Sequence, residues 1–139
     1  MTLLDTNIIS ELMRREPDPS VMAWIDAQPI DQLYISAVTR AEIELGIALL
    51  PEGQRKHGLR AASLRMFSEF QGRCLPFDER TASRYADLVA RRIQAGRPIT
   101  VEDAQIASIA LAEGLTLATR NTADFAGIDG LSLIDPFAA

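Results

Sequence analysis

The chain has 139 residues, 47% of them hydrophobic and 24% charged, which are ordinary values for a single globular domain. Its net charge of −5 argues against a broad basic surface for duplex nucleic acid. It does not exclude a nuclease, because clustered carboxylates bind cations that neutralise both themselves and a phosphate. No apolar run is long enough to cross a bilayer, and a strand is predicted from the second residue, so we expect neither a membrane anchor nor a signal peptide.

The numbers of cysteine and histidine residues limit which disulfides and metal sites the chain can form. A single cysteine, Cys74, excludes an internal disulfide and fits a reducing cytoplasm, which is the compartment we expect. With His57 as the only histidine, a zinc site built from histidine and cysteine is disfavoured.

The first half of the chain alternates apolar runs with helical patterns. Thr2–Leu4 leaves no room for polar alternation, which predicts a strand buried on both faces, and Asp5 ends it. Thr6 and Asn7 are the predicted caps of a short first helix. The other predictions here are a helix opened by residues 17–20, a strand over 33–36, a helix capped by Thr39 and ending at 50, a polar hinge over 53–58 and a helix over 59–70.

The second half continues the alternation. The patterns predict a strand over 73–77, a helix over 78–94, a helix capped by Thr100 and stopped by Gly114, a strand over 115–119, a turn over 121–124 and a strand over 131–134. The helix over 78–94 has a predicted apolar face, made of Ala82, Tyr85, Ala86, Val89 and Ile93. The fold class is therefore α/β, with a mostly parallel central sheet of about four to five strands flanked by helices, in one domain over residues 1–139.

Four acids next to these elements are the candidate site residues: Asp5, Glu42, Asp103 and Asp124. On a helical wheel Glu42 and Asp103 both point toward the apolar side of their helices. An ionised carboxylate facing a core is costly unless it is paired or binds a metal. Each acid also has an ordinary explanation: Glu42 and Asp103 can close capping boxes on Thr39 and Thr100, Asp5 can be a helix N-cap and Asp124 can form an Asx-turn.

The joint pattern favours a shared site. Asp5 and Asp124 follow strands, and Glu42 starts the helix after a strand, so all three are expected at the edge of a parallel sheet where ligands bind. Asp103 starts a helix that leads into a strand, so we expect simple topology to place it at the opposite edge of the sheet. It would join the other acids only if the connection from the preceding helix were short or if its own helix ran across the edge. Oxygen ligands without histidine or cysteine select Mg²⁺ or Mn²⁺.

Four short segments in this order and spacing resemble the PIN-domain ribonucleases, and most closely the VapC/FitB type of bacterial toxin, over nearly the whole chain. The segments are 3–10 (LLDTNIIS), 36–46 (SAVTRAEIELG), 99–107 (ITVEDAQIA) and 118–125 (ATRNTADF). The resemblance implies that the metal-binding acids are Asp5, Glu42 and Asp103, which would bring Asp103 to the same site. Asp124 matches the acid of the last segment, although members of the family differ in which residue acts there, so Asn121 can share or take the role. Supporting positions are Thr6, Asn7 and Thr119, and candidate contacts to the RNA backbone are Arg40, Arg84 and Arg120.

The resemblance also implies the activity: hydrolysis of RNA phosphodiesters by metal-activated water, with Mg²⁺ or Mn²⁺, on a substrate such as tRNA or rRNA. The expected partners are a small cognate antitoxin that inhibits the enzyme and a second copy of the chain, in a homodimer or a toxin–antitoxin hetero-oligomer. The alternative is a catalytically silent PIN-fold regulator that binds RNA or protein. A phosphatase of the haloacid-dehalogenase type is disfavoured, because Asn7 stands where it needs a second acid.

Overall fold

The structure is a computed structural model that describes residues 1–138. Its strands are β1 (Thr2–Leu4), β2 (Leu33–Ser36), β3 (Cys74–Leu75), β4 (Thr116–Ala118) and β5 (Leu133–Ile134). Its helices are α1 (Thr6–Leu12), α2 (Pro19–Asp26), α3 (Ala37–Ala48), α4 (Gln54–Glu69), α5 (Glu79–Gln94), α6 (Val101–Glu113) and α7 (Thr122–Phe125), with a 3₁₀ turn at Ile30–Gln32. No helix within residues 1–138 is long and apolar enough to span a membrane.

The strands form one sheet in the order β3-β2-β1-β4-β5, and all four pairings are parallel. The predicted α/β class and parallel sheet are therefore confirmed. β1 lies in the centre, where Leu3 is in register with Tyr34 on one side and Leu117 on the other. The C-terminal ends of β1 and β4 are consequently adjacent, and the backbone N–H of Asp5 still donates to the carbonyl of Ala118 at 2.9 Å.

A buried cluster covers each face of the sheet, as expected for a central strand with no polar alternation. Leu4 packs on one face with residues of α1 to α4, such as Ile8, Ile43 and Phe67. Leu3 packs on the other face with residues of α5 and α6, such as Leu88 and Ile106. The two neighbouring leucines therefore fix β1 between two layers of helices.

Two predicted helix starts are wrong because a different residue is the cap. Asp5 caps α1, because its carboxylate accepts the N–H of Thr6 at 2.8 Å. This confirms the N-cap alternative for Asp5, and the cap predicted at Thr6 or Asn7 is wrong. Ser36, not Thr39, caps α3, since the Ser36 hydroxyl accepts the N–H of Thr39 at 3.0 Å. In both places a polar residue at the strand end already satisfies the first amides of the helix, so the helix begins earlier than predicted.

Two loops predicted from polar composition are helical instead. The hinge over 53–58 is largely the first turn and a half of α4, which begins at Gln54. There Lys56 is buried and donates to the carbonyl of Ala48 and the carboxylate of Glu52. The turn predicted over 121–124 overlaps the single helical turn α7, Thr122–Phe125.

The direction of α6 brings its first turn to the ligand edge of the sheet. α6 ends at Glu113, Gly114 adopts φ 67°, and β4 begins at Thr116, so the chain reverses between helix and strand. A helix that leads directly into a strand in this way runs antiparallel to it, and its start lies beside the strand's C-terminal end. The expectation that Asp103 lies at the opposite edge is therefore wrong.

The apolar face predicted for α5 is also wrong in part. Ile93 is 69% exposed, whereas the buried residues of the helix are Thr81, Leu88 and Arg92. The helix is thus rotated toward α6 so that an arginine, not an isoleucine, enters the interior near its C-terminus.

Candidate active site

Asp5 is the buried acid of the site. It lies at the end of β1 and is only 4% exposed. The hydroxyl of Thr119 donates to its Oδ2 at 2.7 Å, the side-chain amide of Asn7 donates to the same oxygen at 3.2 Å, and the N–H of Thr6 donates to Oδ1. Burial raises the pKa of Asp5 above its usual value and the nearby charge of Glu42 raises it further, while the hydrogen bonds from Thr119, Thr6 and Asn7 oppose this rise.

Glu42 is held by a residue of another helix. It lies in the second turn of α3, and its Oε1 accepts the hydroxyl of Thr6 at 2.7 Å. The hydroxyls of Thr6 and Thr39 lie 3.0 Å apart, and Thr39 is buried. The capping box predicted between Thr39 and Glu42 is therefore wrong, since Thr39 is inside the helix and the carboxylate reaches across to α1.

Asp103 lies in the first turn of α6 and is half-buried. The hydroxyl of Thr100 accepts its backbone N–H at 3.2 Å, so Thr100 caps this helix as predicted. Burial raises the pKa of Asp103 above its usual value, and the charge of Asp5 is the next largest cause, with contributions from Asp124 and Glu102. A neighbouring carboxylate perturbs another only at short range, so Asp103 stands within electrostatic reach of Asp5 and Asp124.

Asp124 and Asn121 are both at this edge, on and just before α7. The N–H of Asn121 donates to the Thr119 hydroxyl at 3.1 Å, the hydroxyl that itself donates to Asp5. Both side chains are exposed. Asn121 therefore connects to Asp5 through Thr119, whereas Asp124 acts on the site through its charge near Asp103.

Two adjoining clefts surround these groups, and Asp103 lines both. The first, which we call the acidic cleft, has a volume of ≈ 470 Å³ and is lined by Asp5, Glu42, Asp103 and Asn121 among others. The second, which we call the side cleft, has a volume of ≈ 360 Å³ and includes Asp103 and Asp124. The four predicted acids thus lie in two clefts at the C-terminal edge of the sheet that share Asp103 as a lining residue.

None of the four acids forms a side-chain ion pair within residues 1–138. Within residues 1–138 the side-chain ion pairs involve other acids, namely Glu11, Glu44, Glu52, Glu113 and Asp129. In the same range no three His, Cys, Asp or Glu side chains already lie in a geometry that could hold a metal ion. The electrostatic contacts run as a chain, from Glu42 to Asp5 to Asp103 to Asp124. This all-oxygen donor set, in which the pKa values of Asp5 and Asp103 are raised, fits a hard divalent cation such as Mg²⁺ or Mn²⁺.

The three predicted substrate arginines lie in different places. Arg120 lines the acidic cleft, and its guanidinium stacks on the ring of Phe137, 4.4 Å from the centroid. Arg40 pairs with Glu44 at 3.2 Å and lies over Phe67, away from both clefts. Arg84 lines a separate cavity beside Arg91 and also borders neither cleft.

Phe137 and Arg92 are among the cleft-lining residues that were missed from the sequence. Phe137 reaches the acidic cleft from the segment after β5, and no local pattern indicated that this segment returns to the site. Arg92 borders the side cleft from α5. Its position was available from helical spacing, because Tyr85, Leu88 and Arg92 lie at i, i+3 and i+7 on one face.

The fold and the site together define an α/β domain with acid-lined clefts at the C-terminal edge of a parallel sheet. The chain belongs to the PIN domain family, whose model matches residues 2–131. It is 46% identical over 140 residues to the plasmid stability protein StbB of Pseudomonas syringae pv. tomato, covering all of both chains. It is 44% identical over 138 residues to VapC ribonuclease Y4jK of Sinorhizobium fredii, covering 99% of this chain and 98% of that one. It is 42% identical over 130 residues to toxin FitB of Neisseria gonorrhoeae, covering 93% and 94%.

Solved structures agree with this assignment. The crystal structure of FitAcB from Neisseria gonorrhoeae superposes with a TM-score of 0.92 at 39% identity, over 100% of both chains. A structure of FitAB bound to an IR36 DNA fragment superposes with a TM-score of 0.91 at 39% identity, over 99% of this chain and 96% of that chain. The predicted membership of the PIN family is confirmed.

Proposed function

We propose that this protein is a divalent-metal-dependent endoribonuclease and that it acts as the toxin of a toxin–antitoxin pair. The observation that carries the proposal is the group of four acids, Asp5, Glu42, Asp103 and Asp124, at the ligand edge of a PIN fold. None of them forms a side-chain ion pair within residues 1–138. Relatives named as a ribonuclease and as a toxin, which match nearly the whole chain, support both halves of the proposal.

The four acids and the residues that hydrogen-bond to them have different proposed roles. Asp5, Glu42 and Asp103 would hold the metal, and Asp124, with Asn121 beside it, would complete the site from α7. When bound, the ion supplies activation of water as a nucleophile and neutralises charge on the phosphate. Thr119 and Asn7 fix Asp5 by donating to Oδ2, so that Oδ1 and Oδ2 have defined directions. Thr6 fixes Glu42 in the same manner.

The RNA backbone is proposed to enter along the acidic cleft beside Arg120. The guanidinium of Arg120 is held flat by the ring of Phe137 and carries no carboxylate partner among residues 1–138. A planar guanidinium with free N–H groups suits bidentate contact with a phosphate. Arg120 would therefore orient the strand without taking part in bond cleavage.

A small cognate antitoxin is proposed to occupy the adjoining groove, which has a volume of ≈ 930 Å³ and lies between α1, α3 and α4. The groove combines apolar residues, such as Met13 and Ile47, with Arg15 and Arg55 at its border. Thr6 and Glu42 line both this groove and the acidic cleft, so an occupant of the groove would reach the metal site directly. We expect assembly as a homodimer or a toxin–antitoxin hetero-oligomer, and light scattering of the complex would measure it.

The test is cleavage of total RNA by the purified, antitoxin-free protein with Mg²⁺, with EDTA and for the variant Asp5→Asn. Glu42→Gln and Glu44→Gln form a matched pair, since both lie on α3 but Glu44 is exposed and pairs with Arg40. We expect discrete fragments that require the metal, Asp5 and Glu42 but not Glu44. Cleavage that persists in EDTA would refute metal dependence.

The second candidate is a catalytically silent PIN-fold module that binds RNA or protein. It is favoured by one observation: no three His, Cys, Asp or Glu side chains within residues 1–138 already have metal-holding geometry. A folded protein, shown by mass spectrometry to be free of antitoxin, that binds RNA equally well with and without Mg²⁺ and leaves it intact would favour this candidate.

A further inference from the structure

Arg92 is a buried arginine whose guanidinium hydrogen-bonds to the backbone of the segment that carries Asp124. It lies near the C-terminus of α5 and is 7% exposed. Its Nη1 donates to the carbonyl of Ala126 at 2.9 Å, and its Nη2 donates to the carbonyl of Asp124. These two carbonyls lie at the end of α7, a helix of four residues that has no side-chain N-cap. The guanidinium therefore acts as the C-terminal cap of this short helix.

The stability of the fold does not explain why an arginine is buried at position 92. Within residues 1–138 Arg92 has no carboxylate ion pair, and its Nε is buried with no hydrogen-bond partner. Burying a guanidinium with incomplete hydrogen bonding costs free energy that an apolar side chain of similar size would not cost. The charge of Arg92 therefore has a role other than packing in the core.

The location of Arg92 suggests what that is. Arg92, Asp103 and Asp124 all border the side cleft. The carbonyl that Nη2 binds belongs to Asp124 itself, so the contact fixes the backbone from which this carboxylate projects. A one-turn helix is marginal without such support, because it has few hydrogen bonds of its own.

We propose that Arg92 is a positioning residue that holds α7 so that Asp124 faces Asp103 and completes the metal site. The inference rests on the proposed function, since it assigns Asp124 to metal binding. Arg92 does not contact the substrate or the ion in this assignment. It acts only through the backbone of Asp124 and Ala126.

The first experiment is amide hydrogen exchange on the full-length protein, which needs neither RNA nor metal. The N–H groups of Asp124 and Ala126 donate to the carbonyls of Asn121 and Ala123 within and beside α7. In Arg92→Met these amides should exchange at least about tenfold faster, while β1 and α6 remain protected. In Arg92→Lys, which keeps the charge and one reachable donor, the increase should be smaller. Unchanged exchange in Arg92→Met would overturn the proposal.

Arg91→Met is the matched control. Arg91 is the adjacent residue, is exposed and pairs with Asp129 at 3.0 Å. It should leave the exchange of α7 and the response to metal unchanged. A change in α7 as large as that caused by Arg92→Met would overturn the proposal, because the effect would then be general to this end of α5.

The second experiment measures Mn²⁺ binding by calorimetry together with the Mg²⁺ dependence of cleavage. Loss of an outer support typically weakens metal affinity 10–100-fold. We therefore expect Arg92→Met to raise the Mn²⁺ dissociation constant and the Mg²⁺ midpoint about tenfold, with KM for RNA unchanged at saturating metal. A change confined to KM would overturn the proposal.

A double-mutant cycle separates action through Asp124 from general damage. In an Asp124→Asn background, adding Arg92→Met should cause no further change in Mn²⁺ affinity, whereas an additive loss would overturn the inference. Failure of the proposed function is distinguishable, because a wild-type protein that cleaves no RNA would still report on Arg92 through hydrogen exchange and Mn²⁺ binding.

Discussion

The hydroxyl of Thr6 donates to Oε1 of Glu42 at 2.7 Å and joins the first turn of α1 to α3 across 36 positions of sequence. The same residue's N–H donates to Asp5, so Thr6 contacts two acids of the site at once. This double contact explains how two carboxylates from different elements keep a fixed relation although the charge of Glu42 raises the pKa of Asp5.

Thr6→Val should therefore impair the site without unfolding the protein. The substitution conserves shape, keeps the backbone N–H to Asp5 and removes the donor to Glu42. We expect kcat for RNA cleavage to fall about tenfold, the lower end of what losing such a support costs. Steady-state cleavage of a defined RNA fragment measures it. Thr116→Val, at a half-buried threonine in β4, is the control and should retain full activity. Equal losses in both variants would contradict a specific role for Thr6.

The stability of the metal-free protein should fall as pH rises above the usual aspartate range. Burial and neighbouring acids raise the pKa of Asp5 and of Asp103 in the folded state. A group whose folded pKa is raised stabilises the fold below its unfolded pKa and loses that contribution as pH rises through the folded pKa. In EDTA, this pair should thus lower Tm between about pH 4 and pH 7.

Asp103→Asn tests that sign directly. The neutral side chain removes one charge from the group of acids, so this variant should exceed the wild type in Tm by about 3 °C at pH 7 in EDTA and by less at pH 4. Calorimetry at several pH values measures the difference. Saturating Mg²⁺ should reverse the order, because the wild type keeps a ligand that the variant lacks. Asp26→Asn, at an exposed position of α2, should follow the wild type throughout. A wild-type advantage at pH 7 without metal would refute the account.

The sequence was sufficient for the parallel sheet and for the place of Asp5 at its ligand edge, for a physical reason. In an α/β chain a short continuous apolar run such as Thr2–Leu4 forms a strand that is buried on both faces. An acid that directly follows such a strand lies at the C-terminal edge of the sheet, where ligands bind. The residue types and their order along the alternating strands and helices are enough for this prediction, and no detail of side-chain packing is needed.

Contacts distant in sequence could not be predicted in the same way. The capping box Thr39–Glu42 was a reasonable local expectation, but Ser36 had already capped the helix and Thr6 was the better partner for Glu42. Likewise, the exposed side of α5 depended on how α5 packs on α6, so Ile93 was assigned to the interior and Arg92 was overlooked. Local patterns identify candidates, whereas tertiary packing chooses among them.

Arg120 is expected to contribute to RNA binding more than Arg40 or Arg84. Only Arg120 of the three lines the acidic cleft, where Phe137 supports its guanidinium. Arg120→Ala should raise KM about tenfold with kcat nearly unchanged, since a backbone contact positions the strand without doing chemistry. Phe137→Leu should raise KM less, because the charge remains but loses its support. Arg40→Ala and Arg84→Ala should leave KM unchanged, and an equal rise for all three would indicate nonspecific electrostatic attraction instead.

Gly46 offers a way to block the groove without disturbing the acids. It lies exposed within α3, lines the groove, and a Cβ built there meets no atom within 4 Å. Gly46→Ala should stabilise the helix by about 0.5–1 kcal/mol and leave antitoxin inhibition intact. Gly46→Trp should fill the groove and weaken inhibition at least about tenfold while RNA cleavage persists. Titration of the cognate antitoxin against cleavage by each variant measures this. If Gly46→Trp stays fully inhibited, the antitoxin binds elsewhere; if it loses cleavage with its fold intact, the groove also admits RNA.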